Sequence, residues 1–331
     1  MNDFIERAEE LLLQHPEWLS EEDKRSFRTV FDMLGRLQSL YAKAQIRLDN
    51  IEELFGLLEM ARLVRGLPGY SDAELNVFRI ALLRTVVRTL ELAIRFRRDR
   101  NTIQPANAYS ELAYQISRRA SEVAVITFNY DIALDHALFS HGVPVSYGKE
   151  ENGVPLLKLH GSINWGYCTT CASIQTSPWE LLGVEMDEKT GTVAFPVGSQ
   201  MIDSGFNSPC GHRIQGYPLI VPPTWQKNYE ANEAIRQVWI RAAHELKDAE
   251  HVLVIGYSLP DSDLFFRYLY AVGAFGPARI KTFSILDPSN SVHARFQQFL
   301  AEPVRRRGLV FTGMFEDVTY IQMFLERADR F

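Results

Sequence analysis

The 331-residue sequence has no long apolar run and only three cysteines. A membrane-spanning helix needs roughly 18 consecutive apolar residues, and no stretch of this sequence reaches that length. Three cysteines in a long chain do not make the disulfide framework of a secreted protein. The first ten residues are acidic and amphipathic and lack the apolar segment of a signal peptide. We therefore expect a cytoplasmic protein that does not enter a membrane.

The sequence also lacks an excess of positive charge. Its formal net charge is −6, whereas sequence-independent binding of nucleic acid needs a basic surface. Four arginines crowd the end of one predicted helix, at Arg95, Arg97, Arg98 and Arg100, and we interpret them as the solvated face of that helix. We expect no direct contact with nucleic acid.

No internal repeat or low-complexity tract is present, and the composition is that of a packed globular protein, with 46% hydrophobic and 23% charged residues. Residues 1–120 predict a mostly helical region. Ser20 with Asp23 marks one helix start, and Ser71 with Glu74 opens a long helix that we expect to continue through Arg97.

From residue 121 to 331 the pattern changes to alternating strands and helices, which predicts an α/β domain with a parallel sheet covered by helices. The predicted strands are 122–128, 155–160, 218–222, 251–257, 280–286 and 308–312. The predicted helices are about 228–247, 261–273, 289–302 and 317–329. Residues 161–216 have weak periodicity and read as a small inserted module.

All three cysteines lie in the inserted module. Cys168 and Cys171 form a C-x₂-C pair, and Cys210 with His212 forms a C-x-H pair, so the four side chains suit a tetrahedral structural zinc site. Four protein ligands would leave no open position for catalysis by the metal. Two alternatives remain: reduced thiols without a metal, and a C-x₂-C redox pair.

Polar residues follow two of the predicted strands. Asn129 and Asp131 come after the run 123–128, and His160 comes after the run 155–159 and before Gly161. A carboxamide and a carboxylate at a strand end hold hydroxyls or a water molecule, and a histidine serves as a general base near neutral pH. The structural alternatives are helix capping by the Asn and Asp and a satisfied, non-catalytic histidine.

Two later strand ends carry weaker signals. Gly256 and Ser258 follow the buried run 251–255, where a glycine and a hydroxyl suit a phosphate or ribose but also suit an ordinary strand-to-helix turn. Asp287 follows the run 281–286. Its carboxylate either accepts ribose hydroxyls or caps the helix that begins near residue 289.

Taken in order, these segments resemble the sirtuin-like NAD-binding family, especially its bacterial defence-associated branch. Each motif alone is weak, but four in the same order and with suitable spacing are fairly specific. The resemblance covers about residues 45–330. The matching segments are Thr127–Asp131, Lys158–Trp165, Ile220–Trp225 and Val254–Asp263, together with the helical segment Asp49–Phe55.

The resemblance implies a Rossmann-like sheet that holds NAD⁺ in a crevice, and an enzyme that hydrolyses NAD⁺ to nicotinamide and ADP-ribose in anti-phage defence. It implies either a homo-oligomer or a partner protein of the defence system. The implied catalytic residues are His160, Asn129 and Asp131. The implied NAD-binding residues are Thr127, Ser162, Gly256, Ser258 and Asp287.

The sequence departs from this family at one point. The family opens with a buried strand and a Gly-Ala-Gly-x-Ser loop that binds the pyrophosphate at a helix N-terminus, and no such loop is present here. Because the helix at 2–14 resembles the one after that loop, we expect the chain to begin just beyond it. Two alternatives to the hydrolase follow: a non-catalytic module that senses a nucleotide or mediates assembly, and an NAD-dependent protein deacylase.

Overall fold

The computed structural model describes residues 4–39, 47–67, 69–100, 102–148, 152–221, 233–260, 264–276 and 279–330. The fold is mixed α/β, and within the described residues the chain forms two compact units. The first unit comprises Met1–Ile103, Phe128–Ile132 and His160–Ala234. The second unit comprises Gln104–Thr127, Ala133–Leu159 and Ile235–Phe331.

Twelve α-helices are present in the described residues, with short 3₁₀ turns at Pro16–Trp18 and Trp179–Leu181. The helices are α1 (Phe4–Gln14), α2 (Glu21–Ser39), α3 (Ile51–Leu63), α4 (Asp72–Ala93), α5 (Asn107–Ser117), α6 (Ala133–Ser140), α7 (Val197–Asp203), α8 (Glu233–Asp248), α9 (Leu264–Gly273), α10 (Asn290–Phe299), α11 (Glu302–Arg305) and α12 (Thr319–Ala328). None of them combines the length and the apolar character that crossing a membrane requires.

The same residues contain fourteen short strands. They are β1 (Phe96–Asp99), β2 (Thr102–Gln104), β3 (Val125–Thr127), β4 (Val145–Ser146), β5 (Val154–Lys158), β6 (Gly166–Cys168), β7 (Ser173–Gln175), β8 (Glu185–Asp187), β9 (Thr192–Ala194), β10 (Phe206–Asn207), β11 (Arg213–Ile214), β12 (His251–Ile255), β13 (Thr282–Leu286) and β14 (Gly308–Phe311).

Helices α1 to α4 give the first unit its main core. The predicted helix starts are confirmed: Ser20 and Asp23 exchange hydrogen bonds at the start of α2, and Ser71 with Glu74 forms a capping box on α4. Apolar faces of α2, α3 and α4 pack together around Leu54, Leu82 and Val30. Burial of these faces, rather than helix propensity alone, stabilises helices of this length.

Helix α4 ends before the predicted position. It stops at Ala93, and the chain then forms strand β1, which pairs antiparallel with β9 through Phe96 and Val193. Both of these side chains are buried in one core cluster, so tertiary packing overrides the helical pattern of the arginine-rich segment. Arg97 and Arg98 are exposed on β1, as strand residues rather than on a helix.

Residues of the predicted inserted module belong to the first unit with helices α1 to α4. They supply β8 and β9 of a four-stranded sheet in the order β2-β1-β9-β8. They also form two antiparallel hairpins, β6–β7 and β10–β11. Cys168, Met201, Phe206 and Ile214 make a separate small core there.

The second unit contains parallel strands, as the alternating pattern predicted, but they form two three-stranded sheets. One has the order β3-β5-β4 and the other β12-β13-β14, each with parallel pairs. The structure is therefore a mixed α/β fold with several small sheets, and it does not confirm the single Rossmann-like sheet that we expected. Strand β13 is buried at every position, whereas the edge strand β12 is half-buried at every position.

Candidate functional site

His160 lies in the first unit, directly after the parallel pair of β3 and β5. Within the second unit, the Leu159 N–H donates to the Thr127 carbonyl at 3.0 Å, which continues that pairing by one residue. The Trp239 indole N–H donates to the Leu159 carbonyl at 2.9 Å. These bonds hold the backbone at Leu159, the residue that precedes His160 in the sequence.

The His160 side chain is 3% exposed and lies against two aromatic rings. The ring centroid of Phe128 is 5.7 Å from that of the imidazole, and the ring of Tyr130 is 6.1 Å away. These two residues belong to the segment predicted to carry site residues. Within the first unit, Phe128 and Tyr130 thus pack against the His160 side chain.

Gly161 makes the turn after His160 possible. Its φ is +82°, in the left-handed region that favours glycine, and a Cβ at this position would clash with the Leu219 carbonyl oxygen. Gly161 also forms an antiparallel bridge with Ile220. Both the backbone conformation and the close approach of residue 219 therefore require glycine.

Ser162 ties the histidine turn to the segment around Tyr130. Its hydroxyl donates to the Tyr130 carbonyl at 3.0 Å, and the Ile163 N–H donates to the same carbonyl at 2.9 Å. Ser162 is fully buried. The Ser162 hydroxyl thus donates to the protein backbone. This predicted NAD-binding residue therefore stabilises the turn that follows His160.

The segment 219–221 was predicted as part of a strand and instead supports the histidine turn. The Val221 N–H donates to the His160 carbonyl at 2.8 Å, and the Leu219 carbonyl accepts from the Ser162 N–H at 3.0 Å. The Tyr130 hydroxyl donates to the Val221 carbonyl at 3.3 Å. Leu219 and Val221 have apolar side chains and support the histidine turn through their backbone groups. The sequence therefore gave no indication of this role beyond an apolar run.

Asn129 and Asp131 flank Tyr130 and differ in exposure. Asn129 is exposed and Asp131 is half-buried, whereas Tyr130 between them is buried. Alternation of this kind places the ring inward and its polar neighbours nearer to solvent. Both polar residues are therefore less buried than His160.

The remaining predicted NAD-binding residues lie in the second unit. Thr127 is half-buried at the end of β3. Gly256 has a φ of +60°, and its N–H extends the β12–β13 pairing by donating to the Leu286 carbonyl at 3.0 Å. Ser258 is exposed, and its carbonyl accepts from the Arg295 Nε at 2.7 Å.

Asp287 forms a turn just before α10 rather than the helix cap that was one of its two predicted roles. It is 7% exposed, and its Oδ1 accepts from the Ser289 N–H at 2.8 Å. Ser289 is the N-cap of α10, and α10 has no side-chain cap hydrogen bond, so the Asp287 bond is that of an Asx turn. Of the segments that carry the family resemblance, Pro222–Trp225 and Asp261–Asp263 lie outside the described residues.

The three cysteines converge in the first unit. Their sulfur atoms all lie within 4.8 Å of one another, with Cys168 buried and Cys171 and Cys210 exposed. The Cys168 sulfur is 3.5 Å from that of Cys171 and 3.6 Å from that of Cys210. All three are free thiols.

These distances suit a tetrahedral metal ion. A Zn–S bond of about 2.3 Å places two thiolates of a tetrahedral site about 3.8 Å apart, close to the observed separations. Each half of the group sits at the turn of a hairpin, β6–β7 for Cys168 and Cys171 and β10–β11 for Cys210. The Cys171 N–H donates to the Cys168 sulfur at 3.4 Å and holds the pKa of the Cys168 thiol low, at about 6.

His212 is not part of this group. Its ring nitrogens lie outside the set of ligand atoms that are within 4.8 Å of one another, and the residue is exposed. The C-x₂-C pair and Cys210 were thus correctly predicted to come together. Three thiolates fit a soft or borderline cation such as Zn²⁺, and the cluster belongs to a module with only a small core of its own.

Two chemically distinct centres therefore lie in the first unit: a buried histidine held between two other segments, and a three-thiolate group. The second of these could hold a metal ion. No protein-family model matches the sequence, and no curated protein matches it at a significant level.

Proposed function

We propose that this chain is a sirtuin-like NAD⁺ hydrolase that cleaves the bond between nicotinamide and ribose and releases nicotinamide and ADP-ribose. The observation that carries the proposal is the junction of Tyr130 with His160 and Ser162. It joins two segments, about thirty residues apart, whose polar side chains suit this reaction. The role in anti-phage defence, with a second copy or a defence partner, rests on the family resemblance.

Cleavage of this bond passes through an oxocarbenium-like state and needs positioning and a weak base rather than a strong nucleophile. His160 would accept a proton from a ribose hydroxyl or from the attacking water. A well-placed general base contributes roughly 10²- to 10⁴-fold to the rate. The rings of Phe128 and Tyr130 beside the imidazole would limit its orientations.

The polar groups on either side of Tyr130 would contact the substrate. The Asn129 carboxamide would orient the water or contact the ribose, and the Asp131 carboxylate would accept from the nicotinamide amide. The family resemblance assigns Gly256, Ser258 and Asp287 to binding of the adenosine part of NAD⁺. These assignments follow the family pattern residue by residue.

The three-thiolate group would hold a structural zinc ion through Cys168, Cys171 and Cys210. Bound zinc would crosslink the β6–β7 and β10–β11 hairpins, whose shared core contains four residues. Small modules of this kind draw folding free energy from the metal. The metal would have no part in the chemistry at His160.

The test is nicotinamide release from NAD⁺ by the purified full chain, followed by chromatography. We expect release by the wild-type protein and a loss of 10²-fold or more in His160→Ala, in line with the contribution of a general base. Asn129→Ala should lose a comparable factor. Because Asn129 is exposed, this variant should retain its fold.

His141→Ala provides the matched control. His141 is exposed and its side chain contacts Ser110 in the second unit, so its loss should leave the rate unchanged. Equal activity in His160→Ala and His141→Ala would refute the assignment of the base. Release that requires an acyl-lysine peptide would support the deacylase instead.

A non-catalytic nucleotide-binding module is the second candidate. It is favoured by the burial of His160, which is 3% exposed, and by the hydrogen bond that the Asp287 carboxylate already accepts from the Ser289 N–H. Binding of NAD⁺ or ADP-ribose by folded protein, measured by calorimetry without any nicotinamide release, would establish this function in place of hydrolysis.

A further inference from the structure

The three-thiolate group has a fourth polar neighbour that the sequence did not indicate. The Ser208 hydroxyl oxygen lies 3.0 Å from the Cys210 sulfur and 3.7 Å from the Cys168 sulfur. Ser208 is 4% exposed and Cys168 is fully buried. The hydroxyl therefore approaches the cysteines from the protein side of the cluster, whereas Cys171 and Cys210 lie on the solvent side.

The Ser208 hydroxyl lies close enough to the cysteines to reach the same ion. With Zn–S near 2.3 Å and Zn–O near 2.1 Å, a sulfur and an oxygen ligand of one tetrahedral ion lie about 3.6 Å apart. The separation of 3.7 Å from the Cys168 sulfur is close to that value, whereas the separation of 3.0 Å from the Cys210 sulfur is shorter. Ion binding would therefore require Ser208 and Cys210 to move slightly apart.

The hairpin geometry explains why residue 208, rather than residue 212, is in this place. The Ser208 N–H donates to the His212 carbonyl at 2.8 Å, and the Gly211 N–H donates to the Ser208 carbonyl at 2.9 Å. These bonds close the β10–β11 turn and hold Ser208 two residues from Cys210. His212 contributes its backbone to the turn, and its exposed ring lies outside the ligand group.

We propose that Ser208, and not His212, supplies the fourth position of the metal centre, so that the site is made of three thiolates and one buried hydroxyl. A neutral oxygen is a weaker zinc ligand than a thiolate, so the fourth bond is the weakest of the set. The centre is nevertheless closed on the buried side, which suits a structural ion. This assignment does not depend on the proposed hydrolase activity.

The test measures zinc affinity of the full chain by competition with a chromophoric chelator under reducing conditions. We expect Ser208→Ala to weaken zinc binding about 10-fold or more, the range found when groups around a metal are removed. Ser208→Cys should tighten binding by at least as much, because it supplies a fourth thiolate. His212→Ala should stay within about twofold of the wild type, since its ring is not a ligand.

Cobalt substitution gives a second readout that is independent of folding stability. The thiolate-to-cobalt charge-transfer absorption should rise in Ser208→Cys, and the visible bands should shift in Ser208→Ala but not in His212→Ala. Since Ser208→Cys is nearly isosteric, it keeps the proposal testable if the alanine variant does not fold. A weakening by His212→Ala with no effect of either Ser208 variant, or a wild-type chain that binds no zinc, would overturn the proposal.

Discussion

Helix α4 of the first unit buries three charged side chains in succession, whereas the second unit buries a lysine against an aspartate. On α4, Arg84, Arg88 and Glu91 are each no more than 4% exposed. In the second unit, the Lys158 ammonium lies 2.7 Å from the Asp135 carboxylate, with side chains 2% and 1% exposed. The two regions thus place ions in the interior by different means.

The α4 group is an extended network with solvent at its ends. Arg84 contacts Asp23 at 2.7 Å and Asp203 at 3.0 Å, and Arg88 contacts Glu185 at 2.7 Å. The side chains of Asp203 and Glu185 are 55% and 40% exposed. Charge is therefore shared among several partners, and part of it stays hydrated.

The pair in the second unit is enclosed. Tyr147 donates to Asp135 at 2.8 Å. The adjacent His136 is buried, and burial lowers its pKa to about 4, so it is neutral at physiological pH. Burial of the charged atoms, rather than the number of ion pairs, should therefore decide the cost of losing one charge, since desolvation is the dominant unfavourable contribution.

The largest effect is expected from breaking the enclosed pair. Lys158→Met leaves the Asp135 carboxylate buried without the lysine, and should lower the free energy of unfolding by about 3–5 kcal/mol. Urea denaturation followed by far-ultraviolet circular dichroism measures this change. A loss below about 1 kcal/mol would mean that the pair behaves like a surface ion pair.

The double variant Lys158→Met/Asp135→Asn is the control for this prediction. It removes both charges and keeps an oxygen that can accept from Tyr147. Most of the lost stability should return, because replacing a whole buried ion pair is often close to neutral. A double variant as unstable as Lys158→Met would attribute the effect to packing instead.

A smaller effect, visible as a pH dependence, is expected at Glu91. Its carboxylate accepts from the N–H groups of Gly198 and Ser199 at 2.7 and 2.8 Å and from the Ser199 hydroxyl at 2.6 Å. Burial nevertheless raises its pKa from 4.5 to about 7. The folded state therefore holds this proton more tightly than the unfolded state does.

Stability should then fall as the pH rises from 4.5 to about 7, because the unfolded chain releases the proton earlier in this window. The total change should be on the order of 3 kcal/mol at about 1.4 kcal/mol for each pH unit. Glu91→Gln should lack this slope, whereas Glu185→Gln, at an exposed end of the network, should retain it. Urea midpoints measured at several pH values between 4.5 and about 7 would show whether the stability of each variant depends on pH.

The sequence predicted the local elements of this fold better than their assembly. The apolar runs near 251–255, 282–286 and 308–311 are strands, and the run at 154–158 pairs with that at 125–127. Their division into two sheets was not predictable, because strand order depends on contacts between distant residues that periodicity does not encode. The antiparallel pairing of β1 with β9 was missed for the same reason.

In the candidate sites too, local motifs were predicted better than contacts between distant residues. The spacing of Cys168 and Cys171 indicated a group that could hold a metal ion, and Cys210 joins them in the structure. Ser208 gave no signal because serine is common in turns. Likewise, the apolar pattern of α4 gave no sign that Arg84 and Arg88 are buried, since their burial depends on acidic partners more than sixty residues away in the sequence.

The smallest effect is expected at the exposed end of the α4 network. Asp203 holds Arg84 through two hydrogen bonds of 3.0 and 3.2 Å, but its side chain is 55% exposed. Arg84 also retains Asp23 at 2.7 Å. Asp203→Asn should therefore cost less than about 1 kcal/mol, as exposed pairs do, and the difference from wild type should shrink in 1 M salt because the Debye length falls to about 3 Å. A salt-independent loss as large as that of Lys158→Met would show that hydration of the network ends does not distinguish the two regions.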